Sequence, residues 1–255
     1  MANTKSNQAN NLIDFVETKK ISLTGYTLIE GFPDLGLAGT IGSRFLVEKL
    51  KFEQIGYIDS KLFLPIIRIQ NGVPMHPVRI YANKKHKVVI VLAEQIIANN
   101  IAGYVAKALV EWIKKKGIKR VISTSGVSIP NGKSVYAFAS DDKSKKAIKE
   151  NNLELISNGI TSGVTALLML YLKDNKIEAF CLLGNAKNKA DYNAAAEIVK
   201  AFCTLLGINL DVKPLLKEAK KIEGALMEHL KNLETQNKKE TKTALKSVPM
   251  VPMYT

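Results

Sequence analysis

Carboxylates placed just past a strand are the first candidates for chemistry in this chain. Asp34 and Glu94 both stand there, where a side chain can act as a general base. The competing reading, a helix cap or an acceptor for backbone amides, is favoured for both. Ser123, Ser125 and Ser128 also follow a strand, a good place for a ligand loop in an α/β sheet. They do not form a GxSxG elbow. His76, His86 and His229 are the histidines of the chain, and none pairs with another at metal-ligand spacing. There is no HExxH and no Cys/His cluster. Cys181 and Cys203 lack CxxC spacing and lie in apolar segments, which predicts buried, inert thiols. No metal or cofactor is expected, and no motif demands an enzyme.

Gly31, Gly36, Gly39 and Gly42 follow a strand and enter a helix, the setting of phosphate-binding loops. The spacing argues otherwise. Gly36 is followed by Leu37-Ala38 rather than Lys-Ser/Thr, and no GxGxxG is present. Glycines recurring every three residues make one small face of a helix, suited to close packing. Gly163-Val164-Thr165-Ala166 is read the same way.

Alternating elements must position these residues. Strands are predicted at Tyr26–Gly31, Gly56–Asp59, Lys87–Leu92, Lys119–Thr124, Ser134–Ala139 and Ile177–Leu183. Helices are predicted at 35–51, 101–116, 141–151, 162–173 and 191–206. Asn99 or Asn100 caps the second of these, while Gly117 and Gly207 stop the second and the last. Asn71-Gly72 signals a hairpin between Pro65–Ile69 and Val78–Ala82, adding antiparallel strands to the sheet. The pattern implies a three-layer α/β domain, a mostly parallel sheet with helices on both faces. Residues 1–20 read as a loose polar lead-in and 21–233 as one domain. That domain closes with a helix from Pro214, whose stripe Leu215, Ala219, Ile222, Leu226, His229 and Leu233 is near-heptad. The stripe suits docking on the core or on a partner equally.

The formal net charge is +14, yet of 37 basic residues only Arg44, Arg68, Arg79 and Arg120 are arginine. Arginine reads phosphate and base edges better than lysine. Scattered lysines fit solubility or an acidic protein partner, and nucleic-acid binding ranks last. The polar start lacks a signal-peptide core, and no apolar run spans a bilayer. A cytoplasmic location and no membrane partner are expected.

Residues 234–255 read as a polar tether ending in Val248-Pro249-Met250-Val251-Pro252-Met253-Tyr254-Thr255. An apolar, proline-stiffened end has no folding rationale and suggests a binding element. About 20 tether residues give a root-mean-square reach on the order of 25 Å.

Glu30-Gly31-Phe32-Pro33-Asp34-Leu35-Gly36-Leu37-Ala38-Gly39 resembles the G-F-P-G-x-G-x-x-G motif of the proteasome assembly chaperone family, widespread in archaea. Ser125-Gly126 and Gly159-Ile160-Thr161-Ser162-Gly163 resemble its other small-residue segments, and the likeness runs from about residue 20 to 230. Asp34 departs from the family's usual glycine. The resemblance implies a nucleoside phosphorylase-like α/β fold, a chaperone without ATPase activity, and homo-oligomers, often tetramers. It also implies a hydrophobic-Tyr-X (HbYX) tail, matched by Met253, Tyr254 and Thr255, that enters pockets between proteasome α-subunits. There the terminal carboxylate would pair with a pocket lysine. A proteasome activator shares the tail, and a nucleoside phosphorylase-like enzyme using the Gly31–Gly42 loop is the rival from another class.

Overall fold

The apolar run at 88–93 sits where its composition demands, in the middle of a sheet covered on both faces. The computed structural model describes residues 12–217, and the chain divides into two units, 1–212 and 213–255. In the second unit, residues 213–217 are helical. The rest of the expected last helix, the tether and Met253-Tyr254-Thr255 lie outside the described residues.

The first unit is a nine-stranded sheet. In chain order its strands are β1 (Asp14–Glu17), β2 (Thr27–Gly31), β3 (Glu53–Asp59), β6 (Val78–Asn83), β7 (Val88–Ala93), β8 (Arg120–Val127), β9 (Val135–Ala139), β10 (Glu154–Leu155) and β11 (Glu178–Asn185). Between β3 and β6 a separate ribbon forms from β4 (Arg68–Gln70) and β5 (Val73–Met75). The helices are α1 (Ala38–Lys49), α2 (Asn99–Lys116), α3 (Asp142–Glu150), α4 (Gly163–Asp174) and α5 (Tyr192–Leu206).

The spatial order is β1-β3-β6-β7-β2-β8-β11-β9-β10. The centre, β7-β2-β8-β11, is parallel. Antiparallel pairs join β1 to β3, β3 to β6 and β6 to β7 on one flank, and β9 to β11 on the other. Central parallel strands must be apolar on both sides, and every residue of β7 is buried. Helices α2 and α4 pack together over one face, around a core that includes Leu28, Val91, Leu109, Leu168 and Cys181. Helices α1 and α5 pack together against the same sheet, where Phe180 and Phe202 are fully buried. Each such ring contributes about 1.5–3 kcal/mol by leaving water.

The caps follow local chemistry. Asp141 accepts from the Ser144 amide at 2.8 Å, and Asp191 from the Ala194 amide at 2.9 Å. Gly117 and Gly207 close α2 and α5 in the left-handed region, at φ 65° and 64°. Ala98, not an asparagine, occupies the cap of α2 and makes no side-chain bond; Asn99 is already helical.

Two expectations change. Asn71-Gly72 does turn a hairpin, with φ 52° and 77° as a tight primed turn requires. Its second arm, however, is β5, which pairs directly with β4 in the ribbon. Val78–Asn83 instead fills the slot between β3 and β7, where five of its six residues are buried. The second change is at the start. Asp14–Glu17, within the stretch expected to be loose, forms edge strand β1. Phe15 stacks on Trp112 with ring centroids 5.1 Å apart, and the Trp112 indole N–H donates to Glu17 at 3.1 Å. These contacts span 97 and 95 residues of sequence and leave no local signal.

Candidate functional site

In an open α/β sheet, ligands gather beyond the carboxyl ends of the strands where neighbouring connections depart to different helices. Here β2 leads into α1 and its neighbour β7 into α2. A cavity of about 240 Å³ lies at that point, lined by Phe32, Asp34, Ile97, Asn99, Ser162 and Thr165 among others.

Thr165 leads inward to Glu30, a fully buried carboxylate at the end of β2. Glu30 accepts from the Phe32 amide at 3.1 Å, the Thr124 amide at 3.4 Å and the Thr165 hydroxyl at 3.1 Å. Burial pushes its carboxyl from 4.5 up to about 7; the three donors oppose the rise and nearby Asp34 adds to it. Glu30 thereby ties β2 to β8 and α4. It was not among the sequence candidates. The available signal was a lone carboxylate in the apolar run Leu28-Ile29-Glu30-Gly31.

Asp34 does what a cap does. One oxygen accepts from the Leu35 amide at 2.8 Å, starting a 3-10 turn at Leu35–Leu37, and the other accepts from the Ser125 hydroxyl. Glu94 is held by Arg44, Arg68 and Arg79 in ion pairs. The cap reading holds for Asp34, whereas the partners the structure gives Glu94 are three arginine side chains and not a helix end or a backbone amide. Ser123 is buried in β8. His76 stacks on Tyr57, with centroids 3.6 Å apart. Among the described residues no three of His, Cys, Asp and Glu gather to hold a metal. Burial pushes the Cys181 thiol well up and Cys203 up as well, the behaviour of inert thiols.

The glycine loop is a packing device. A Cβ on Gly31 would collide with Ser43, and one on Gly39 with the Thr124 side chain. At Gly42 it would lie 3.2 Å from Val199. The small face lets α1 sit directly on β8 and α5, as the packing reading of these glycines expected.

A second feature is at the surface. The ribbon and the loop before it present Leu64, Ile67, Ile69 and Val73, each more than half exposed. Neighbouring apolar side chains left in water mark an interaction surface.

The chain belongs to the PAC2 family, whose model matches residues 28–230. The resemblance to proteasome assembly chaperones is thereby borne out. The chain is 27% identical to Pyrococcus furiosus PbaA, described as an archaeal homolog of proteasome-assembly chaperone. The two structures align with a TM-score of 0.78 over 92% of this chain and 99% of that one. P. furiosus PbaB, described as an archaeal proteasome activator, shares the fold at a TM-score of 0.75 and 21% identity, over 86% and 99% of the two chains. The uncharacterized protein MJ0106 of Methanocaldococcus jannaschii is 28% identical over 229 residues, 88% of this chain and 95% of its own. No helix among the described residues is long and apolar enough to cross a membrane.

Proposed function

We propose that this protein is an ATP-independent proteasome assembly chaperone, a cytoplasmic homo-oligomer that binds α-subunits of the core particle through Met253, Tyr254 and Thr255. The observation that carries the reading is its membership of the PAC2 family together with its likeness to PbaA along nearly the whole of both chains. The tail residues enter from the sequence, where a hydrophobic residue, a tyrosine and a threonine follow a polar tether. The exposed ribbon residues Ile67 and Ile69 support self-association, since pairing two copies would take them out of water. Several tails on one oligomer would raise avidity for a ring without any new contact.

A pull-down with purified α-subunits tests this. The intact chain is expected to retain them, whereas deletion of 253–255 and Tyr254→Ala each lose them with the oligomer unchanged. Undiminished capture by the truncated chain would sink the proposal.

A proteasome activator is the second reading, favoured by the fold shared with PbaB. Peptide hydrolysis by mature core particles separates the two: an activator raises the rate, an assembly chaperone does not.

A further inference from the structure

Of 37 basic residues only Arg44, Arg68, Arg79 and Arg120 are arginine, and the first three meet at one carboxylate. Arg44 comes from α1, Arg68 from the start of β4 and Arg79 from β6; Glu94 stands just past β7. Arg68 Nη1 donates to Glu94 Oε1 at 3.0 Å. Arg44 shares that oxygen, and Arg79 takes Oε2. Arg79 Nη1 also reaches Met75 Sδ at 3.6 Å.

One carboxylate does not balance three guanidiniums. Like charges brought this close repel unless anions intervene. Each guanidinium carries five N–H donors, and the Nε of all three is buried with no hydrogen-bond partner among the described residues. Arg79 is 2% exposed, so its guanidinium is withdrawn from bulk solvent. All four side chains line a cavity of about 340 Å³, joined there by Lys51, Glu48 and Tyr81. That wall carries four cations against two carboxylates. In a protein that otherwise uses lysine for positive charge, three arginines at one point select for planar, two-pronged donors, the geometry that matches phosphate and carboxylate.

We propose that this cavity binds a small dianionic oxyanion, a phosphate or a dicarboxylate, held by Arg44, Arg68 and Arg79. Glu94 is the resident counter-ion that keeps the three forks converging. The cavity lining includes none of Gly31–Gly42, and the site stands or falls independently of the chaperone reading.

The test is calorimetric titration of the full chain with inorganic phosphate and with succinate, against sodium chloride at matched ionic strength, together with thermal shifts. Saturable binding of at least one of the two is expected. Phosphate alone assigns the ligand to phosphates, and succinate alone to dicarboxylates. Arg44→Gln and Arg68→Gln should each weaken that binding at least tenfold. Their side chains are 38% and 34% exposed, so both variants are expected to fold. Arg120→Gln, which removes an ion pair to Glu178 elsewhere, should leave it unchanged. No saturable heat from either anion, or equal affinity in the Arg44→Gln/Arg68→Gln double variant, overturns the proposal.

Discussion

A carboxylate sealed beneath Thr165 makes the stability of this protein depend on pH in an unusual direction. Glu30 has its carboxyl raised from 4.5 to about 7, chiefly because burial disfavours the charged form. The folded state therefore holds a proton that the unfolded state releases. Its contribution is fully present below about pH 4.5 and is lost as pH rises to about 7. A shift of this size corresponds to roughly 3 kcal/mol. Glu17, Asp141 and Glu178 have lowered values and act with the opposite sign at more acid pH. Comparison with Glu30→Gln isolates the buried group. The wild type should lose stability relative to the variant between pH 5 and pH 7.5, read as the difference in urea midpoints. Parallel pH profiles would show that Glu30 titrates normally. Thr165→Val, which deletes one donor to that carboxylate, should cost about 1–3 kcal/mol at pH 8, where the group is charged.

Helix α1 rests on its glycines, and they are not equivalent. At Gly39 an added methyl meets the Thr124 side chain head-on, with the β8 backbone behind it. Overpacking of this kind costs about 1–3 kcal/mol. At Gly42 the nearest atom is Val199 Cγ2 at 3.2 Å, the end of a side chain on a neighbouring helix. There the gain of about 1 kcal/mol in helix propensity offsets the crowding. Gly39→Ala should therefore be clearly more destabilising than Gly42→Ala in urea unfolding, with unchanged m-values. The reverse order would mean that α1 is not seated on β8 by its small face. The Asn71-Gly72 turn closes a ribbon outside the main sheet, which Arg68 and Met75 tie to Glu94 and Arg79.

For the whole molecule, the ribbon is the part with the least to do for the core. Ile67 and Ile69 are 65% and 67% exposed, so replacing them should change the stability of the domain by no more than about 0.5 kcal/mol. If the ribbon joins copies of the chain, Ile67→Lys/Ile69→Lys should shift the assembly to a smaller species by light scattering. An unchanged mass would place the self-association surface elsewhere. In that smaller species, capture of α-subunits should weaken through lost avidity even though each tail is intact.

Much of the architecture is legible in local pattern because it is caused locally. The apolar run at 88–93, the capping Asp141 and Asp191, the stop glycines at 117 and 207, and the three-residue glycine spacing in α1 each have a cause within one or two turns of chain. Asp34 was readable as a cap for the same reason. The family likeness rested on the same short segments, and Met253, Tyr254 and Thr255 remain a reading of sequence alone. Tertiary structure decided what depends on distant partners. It paired Val78–Asn83 with β3 and β7 rather than across the Asn71-Gly72 turn, made an edge strand of Asp14–Glu17 through Trp112, and buried Glu30 against Thr124 and Thr165. It also brought Arg44, Arg68 and Arg79 from three elements to Glu94. Charge convergence of that kind has no periodicity and no motif, because it arises only when the sheet brings β6 and β7 beside α1.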